Sequence, residues 1–135
     1  MSDHELDNIR LKKAEVLMQA FLLPNEIITI HKPEELDSLW SKYKKIIIVD
    51  FWAVWCGPCR IFSQVFERLQ QEYNDEFIFA KANVDEAPDI ANKYMISSIP
   101  TTLILKNGQV LNKIVGATSY NNIKMYFEKL KDFNH

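Results

Sequence analysis

Ile46-Ile47-Ile48-Val49-Asp50-Phe51-Trp52-Ala53-Val54-Trp55-Cys56-Gly57-Pro58-Cys59 opens as an unbroken apolar run and closes on two cysteines three positions apart. Apolar residues on both parities suit a strand buried on both faces of a sheet, not the in-out alternation of a sheet with one wet face. Asp50 is the single acid in that run. Past Cys56 the periodicity changes. Ile61, Phe62, Val65, Phe66 and Leu69 gather on one side of a helix extending to Tyr73, with Gln64, Arg68, Gln71 and Glu72 on the other. The cysteines therefore stand where a buried strand turns into a helix.

Outward from that junction the chain alternates between the two periodicities. Residues 26–30 read as a short β-branched strand, and Pro33-Glu34-Glu35 opens a helix to about Tyr43, with proline and acids where a helix N-terminus favours them. Residues 77–84 form a third strand and residues 88–94 a short helix. The runs 101–105 and 110–115 flank Lys106-Asn107-Gly108-Gln109, and Asn-Gly between β-branched runs is a strong hairpin signal. A last helix begins near Ser119, capped by Thr118 or Ser119, with Ile123, Tyr126, Phe127 and Leu130 inward. The order β-α-β-α-β-α-β-β-α implies an α/β fold: a five-stranded mixed central sheet flanked by helices on both faces.

Pro24-Asn25 marks the internal boundary, dividing an N-terminal helical extension (1–24) from the domain (25–135). In the extension, Ser2-Asp3-His4-Glu5 matches a capping box, and Leu6, Ile9, Val16, Leu17, Ala20 and Phe21 share one broad face that Lys13 interrupts. Arg10, Lys12 and Lys13 before an apolar run resemble an export signal superficially. Asp3, Glu5, Asp7, Glu15 and Gln19, and the lack of a small-x-small site near Pro24, argue for a helix instead. The expected compartment is the cytoplasm.

Composition excludes several classes. At 135 residues, 47% hydrophobic and 25% charged, the chain makes one globular domain. A net charge of −2 gives no footprint for nucleic acid, and no run approaches the ~18 apolar residues of a membrane span. Two cysteines cannot build a disulfide scaffold, and His4, His31 and His135 are too scattered to complete a structural metal site. Three glycines cannot supply a phosphate-binding loop.

The spacing of the cysteines carries the chemistry. A thiolate at Cys56 would face the unpaired N–H groups and positive end of the following helix, which lowers its pKa. Cys56 is then the exposed attacking sulfur and Cys59, one turn further in, the shielded resolving one. Pro58 stiffens the first turn, and Gly57 leaves the attacking sulfur uncovered. Two inert cysteines, or half of a metal site, are the alternatives to this redox reading.

These residues resemble a family. Residues 49–60, Val-Asp-Phe-Trp-Ala-Val-Trp-Cys-Gly-Pro-Cys-Arg, are similar to the active-site stretch of thioredoxins. The likeness continues through Ala80-Lys81-Ala82-Asn83-Val84-Asp85, Ile99-Pro100-Thr101, Lys106-Asn107-Gly108 and Val115-Gly116-Ala117, over about residues 26–135. It implies a thioredoxin-like fold and a protein-disulfide reductase serving cell redox homeostasis. Asp50 would exchange a proton with Cys59, its pKa raised by burial, and Lys81 would be its partner. Pro100 would be cis, with the backbone of Ile99 bonding an extended substrate segment. Trp55 and Gly116 would complete the docking rim, to which Thr101 is also assigned.

The resemblance further implies no bound cofactor or metal, only the redox-active Cys56-Cys59 pair. Its partners would be disulfide-containing substrate proteins and a flavin-dependent thioredoxin reductase, with the protein itself a monomer. Val54 replaces a frequent acid, and Ser97-Ser98 stands where a basic residue and a glycine are common, so the rim is more apolar than usual. Two rival readings remain. An exported-type oxidase or isomerase usually carries a histidine between its cysteines, and this chain has Gly57-Pro58. A binding or assembly subunit using the rim and extra helix would have no need of a buried acid.

Overall fold

A computed structural model describes residues 22–134, so the helix expected within residues 1–24 falls almost wholly outside the described residues. In chain order the elements are β1 (Ile28–Thr29), α1 (Pro33–Tyr43), β2 (Ile47–Trp52), α2 (Gly57–Tyr73), β3 (Ile78–Asn83), α3 (Pro88–Lys93), β4 (Thr101–Lys106), β5 (Gln109–Val115) and α4 (Tyr120–Leu130), followed by a 3-10 turn. The alternation read from the sequence is reproduced. β1 is shorter than the expected strand: its ladder to β3 pairs only Ile28 with Ala80 and Thr29 with Lys81.

The five strands lie in the order β1-β3-β2-β4-β5. β2 runs parallel to β3 and antiparallel to β4, so its backbone is paired on both edges. Its apolar run is explained by position: Ile47, Val49 and Phe51 face one helical layer with Leu36 and Ile90, while Ile46 and Ile48 face the other with Phe62, Phe66 and Phe127. Side chains alternate along a strand, so Asp50 shares the face of Ile46 and Ile48 and points towards α2. The period of the strand fixes the face, and the packing of α2 on that face puts the acid beneath the cysteine-bearing helix.

Local signals place the ends. Asn107 and Gly108 turn the β4–β5 hairpin with both φ angles positive, 52° and 76°, as a type I′ turn requires. Ser119 caps α4, its Oγ accepting from the Asn122 N–H at 3.3 Å. At the chain end the buried Asn134 accepts from the Ile46 N–H at 2.9 Å and donates to the Glu76 carbonyl, tying the C-terminal turn to the head of β2.

Phe127 is fully buried and meets Tyr73 and Phe77 at 5.5 Å and Phe79 at 6.0 Å, joining α4 to α2 and the sheet. Phe127→Ala should destabilise the fold by about 3–5 kcal/mol through lost burial and the cavity left behind. Equilibrium denaturant unfolding reads this directly. A loss below about 1 kcal/mol would mean that the layer collapses around the gap.

Candidate active site

β2 ends at Trp52, and the chain turns through the buried Ala53 and the exposed Val54 and Trp55 into α2. Cys56 is the N-cap of α2, in extended conformation, and its Sγ accepts from the Cys59 N–H at 3.2 Å. The two cysteines are joined as a disulfide, with Cα atoms 5.3 Å apart. Gly57 and Pro58 occupy the first helical turn, where proline's missing N–H leaves no bond unmade. An N–H aimed at Cys56 Sγ from a helix start favours a thiolate there once the disulfide is opened.

Cys56 is less exposed than its position at the helix start suggests, at 5% against 2% for Cys59. In the oxidised pair its sulfur turns inward onto Cys59, among Ala53, Trp52, Val84 and Ile99. The exposed surface here belongs to Trp55, Gly57 and Pro58.

Asp50 is buried, and its Oδ1 has no hydrogen-bond partner. Burial pushes its pKa up to about 7, against the opposing pull of Lys81. The two are register partners on β2 and β3, yet their side chains form no contact ion pair, and Lys81 Nζ lies 5.8 Å from the centre of the Trp52 ring. Asp50, Cys59, Lys81 and Trp52 line one cavity of about 230 Å³, with Ser63 and Glu67 among its other walls. A buried acid with a raised pKa and the inner sulfur thus share one space.

Across the disulfide, the Ile99–Pro100 bond is cis, and the Ile99 carbonyl oxygen is 3.8 Å from Cys56 Sγ. Gly116, at φ +98°, donates its N–H to the Pro100 carbonyl at 2.8 Å, which ties the end of β5 to this loop. Trp55 Nε1 donates to Asp85 Oδ2 at 2.8 Å and holds the exposed indole in place. Trp55, Val84, Ile96, Ser97, Ser98 and Ile99 line a second, shallower groove.

Ten of the eleven residues singled out from the sequence gather around the disulfide or its two flanking cavities. Thr101 does not present its side chain to the rim. It is buried at the start of β4, where its Oγ1 donates to the Ser98 carbonyl at 2.6 Å and shapes the loop from within. Asp85, Val84 and Ile96 also belong to the site and were not singled out. Asp85 stands 30 residues from the indole it binds, so only the fold reveals the pair. Among the described residues no cluster of three or more His, Cys, Asp or Glu could hold a metal ion, and no helix is long and apolar enough to cross a membrane.

The family model named Thioredoxin matches residues 27–129. The chain belongs to the thioredoxin family. A thioredoxin of Chlorobaculum thiosulfatiphilum is 52% identical over 79 residues, covering 58% of this chain and 73% of that one. The M-type chloroplastic thioredoxin of Pisum sativum is 35% identical over 125 residues, covering 90% of this chain and 70% of that one. Among solved structures, the thioredoxin of Malassezia sympodialis superposes with a TM-score of 0.72 at 28% identity, over 82% of this chain and 96% of that one. The reduced thioredoxin pre-protein of Schistosoma mansoni gives 0.67 at 36% identity, over 77% and 97%. With the thioredoxin fold and the Cys56–Cys59 pair, the protein is a thiol–disulfide oxidoreductase with protein-disulfide reductase activity.

Because the Asp50 carboxyl titrates higher in the fold than in the unfolded chain, its favourable contribution is complete below the ordinary carboxylate range. It is lost as pH rises through about 7. The stability of Asp50→Asn relative to the parent should therefore increase by roughly 3–4 kcal/mol between pH 4 and pH 8. Denaturant unfolding of both oxidised proteins across that range is the measurement. A difference independent of pH would mean that Asp50 does not titrate in that window.

Proposed function

We propose that the protein reduces disulfides in substrate proteins by a two-step exchange in which Cys56 attacks and Cys59 resolves. The observation that carries this reading is the Cys56–Cys59 disulfide at the start of α2, with Asp50 unpartnered in the cavity that Cys59 lines. In the dithiol form, the Cys56 thiolate attacks one sulfur of a substrate disulfide. The substrate S–S bond breaks, one substrate sulfur leaves as a thiolate and takes a proton, and the other is held by Cys56. Cys59 then loses its proton to Asp50 and attacks Cys56, releasing the second substrate thiol. Two electrons pass to the substrate, and the protein returns to the disulfide form described above.

Each neighbouring residue has a part in this cycle. Lys81 limits the upward shift of the Asp50 pKa, keeping the acid near the point where it can both take and return a proton. Gly57 and Pro58 shape the first turn around Cys56. Trp55, Ile99, Pro100 and Gly116 form the rim against which an extended substrate segment lies, with the Ile99 backbone as its hydrogen-bond partner. Thr101 holds that loop rather than touching substrate. Residues 25–135 carry this chemistry as a monomeric domain, and residues 1–24 precede it as an N-terminal extension.

Turnover requires a reductant that returns two electrons to the pair, and a flavin-dependent thioredoxin reductase fits that need. A thiol-reducing compartment such as the cytoplasm suits the cycle, because an oxidising one would hold the pair as a disulfide. Neither a metal nor a bound cofactor has a part in it.

Cys56→Ser should abolish reduction of insulin disulfides, and Cys59→Ser should accumulate covalent adducts with substrate proteins, visible on non-reducing gels. Turnover by Cys59→Ser at the parental rate would reverse the assignment of the two sulfurs. In rapid-mixing experiments, resolution of the mixed disulfide should speed up as pH rises through about 7 and Asp50 ionises. Asp50→Asn should be slower above that pH and lose the inflection. An unchanged profile would remove Asp50 from the proton path.

A further inference from the structure

One residue, next in the chain to the groove-lining Ile96 and outside the proposed catalytic set, adopts a backbone that its side chain disfavours. Met95, just past α3, has φ +51°, in the left-handed region that favours glycine. Its side chain gains no burial in return. At 79% it is the most exposed large apolar side chain among the described residues.

The conformation is held from the sheet. Lys113 of β5 reaches across with its Nζ and donates to the Tyr94 carbonyl at 2.7 Å and the Met95 carbonyl at 3.3 Å. These are orphan carbonyls at a helix C-terminus, where an ammonium is favoured. The Met95 N–H bonds back to the Asn92 carbonyl at 3.1 Å, and the Ile96 N–H to Ala91 at 2.9 Å. From this anchor the chain runs through Ile96, Ser97 and Ser98 along the groove to Ile99, whose carbonyl is 3.8 Å from Cys56 Sγ. None of the residues lining the groove is charged.

We propose that Met95, positioned by Lys113, is a specificity-determining contact for disulfide reduction. It extends the groove into an apolar seat for an uncharged, extended segment flanking the substrate disulfide. This rests on the reading that substrate meets Cys56 beside Ile99. The occupant follows from continuity with the reacting pair, since a segment whose sulfur lies at Cys56 and which follows the groove away from Ile99 passes Ser98, Ser97 and Ile96, the lining residue next to Met95 in the chain. An apolar side chain there is removed from water against Met95. A carboxylate would be desolvated with no counter-charge, because the Lys113 ammonium is committed to two carbonyls and the Asp85 carboxylate held on Trp55 adds like charge.

The test compares full-length parent, Met95→Gly, Lys113→Met and Lys113→Arg on three substrates: a peptide disulfide flanked by leucines, the same peptide flanked by aspartates, and bis(2-hydroxyethyl) disulfide. The parent should prefer the leucine peptide. Met95→Gly should lower kcat/KM for that peptide about five- to twentyfold, mainly through KM, the scale expected for one lost apolar contact. Its rate on the small disulfide should be unchanged, and it should fold at least as stably because glycine accepts the left-handed backbone. Lys113→Met should raise KM in the same way, and Lys113→Arg should restore it. An unchanged preference in Met95→Gly, or an equal loss on all three substrates, would overturn the proposal. Failure of the parent to reduce insulin disulfides would instead overturn the underlying reading of the cycle, so the two failures are distinguishable.

Discussion

The structure depends on burying β2 on both faces and pairing it on both edges. With β3 on one side and β4 on the other, its backbone groups are satisfied, and its side chains feed the two core layers alternately. A strand so enclosed fixes the direction of each side chain through the period of two. It also delivers the chain from its end directly into α2, with the first cysteine as the helix cap. The position of the redox pair and the burial of Asp50 are two consequences of one packing arrangement.

That arrangement sets opposed electrostatic conditions within one short stretch. At Cys56 the start of α2 offers an N–H to sulfur and favours negative charge. At Asp50 the same enclosure withdraws water from a carboxylate and offers it no hydrogen bond at Oδ1, which disfavours negative charge. One sulfur is prepared to carry charge and one acid is prepared to accept a proton, with Cys59 between them. Burying the acid disfavours its ionised form, a local cost at a functional site.

Much of this was legible in the chain, and the exceptions share a cause. The buried run, the helix after it, the Asn107-Gly108 turn and the Ser119 cap all announce themselves through local periodicity or local hydrogen bonding. β1 is shorter than its β-branched composition suggests: it lies at the sheet edge with β3 as its single partner, and only Ile28 and Thr29 enter the ladder. Thr101 follows Pro100 and reads as rim, yet the start of β4 turns it inward to the Ser98 carbonyl. Cys56 reads as exposed from its place at the helix start, while the closed disulfide and Ile99 cover it.

Residue order alone carried the α/β alternation, the reactive spacing of Cys56 and Cys59, and the presence of one acid in the buried run, because each follows from periods of two and 3.6 or from adjacent residues. The rest needed partners distant in sequence. Asp85 secures the Trp55 indole, Lys113 holds the carbonyls that set Met95, Ile99 approaches Cys56, and Asn134 closes the head of β2. Such contacts have no local signature: each joins groups between 18 and 88 residues apart. They come into being when the sheet order brings loops from separate strands to one end of the molecule.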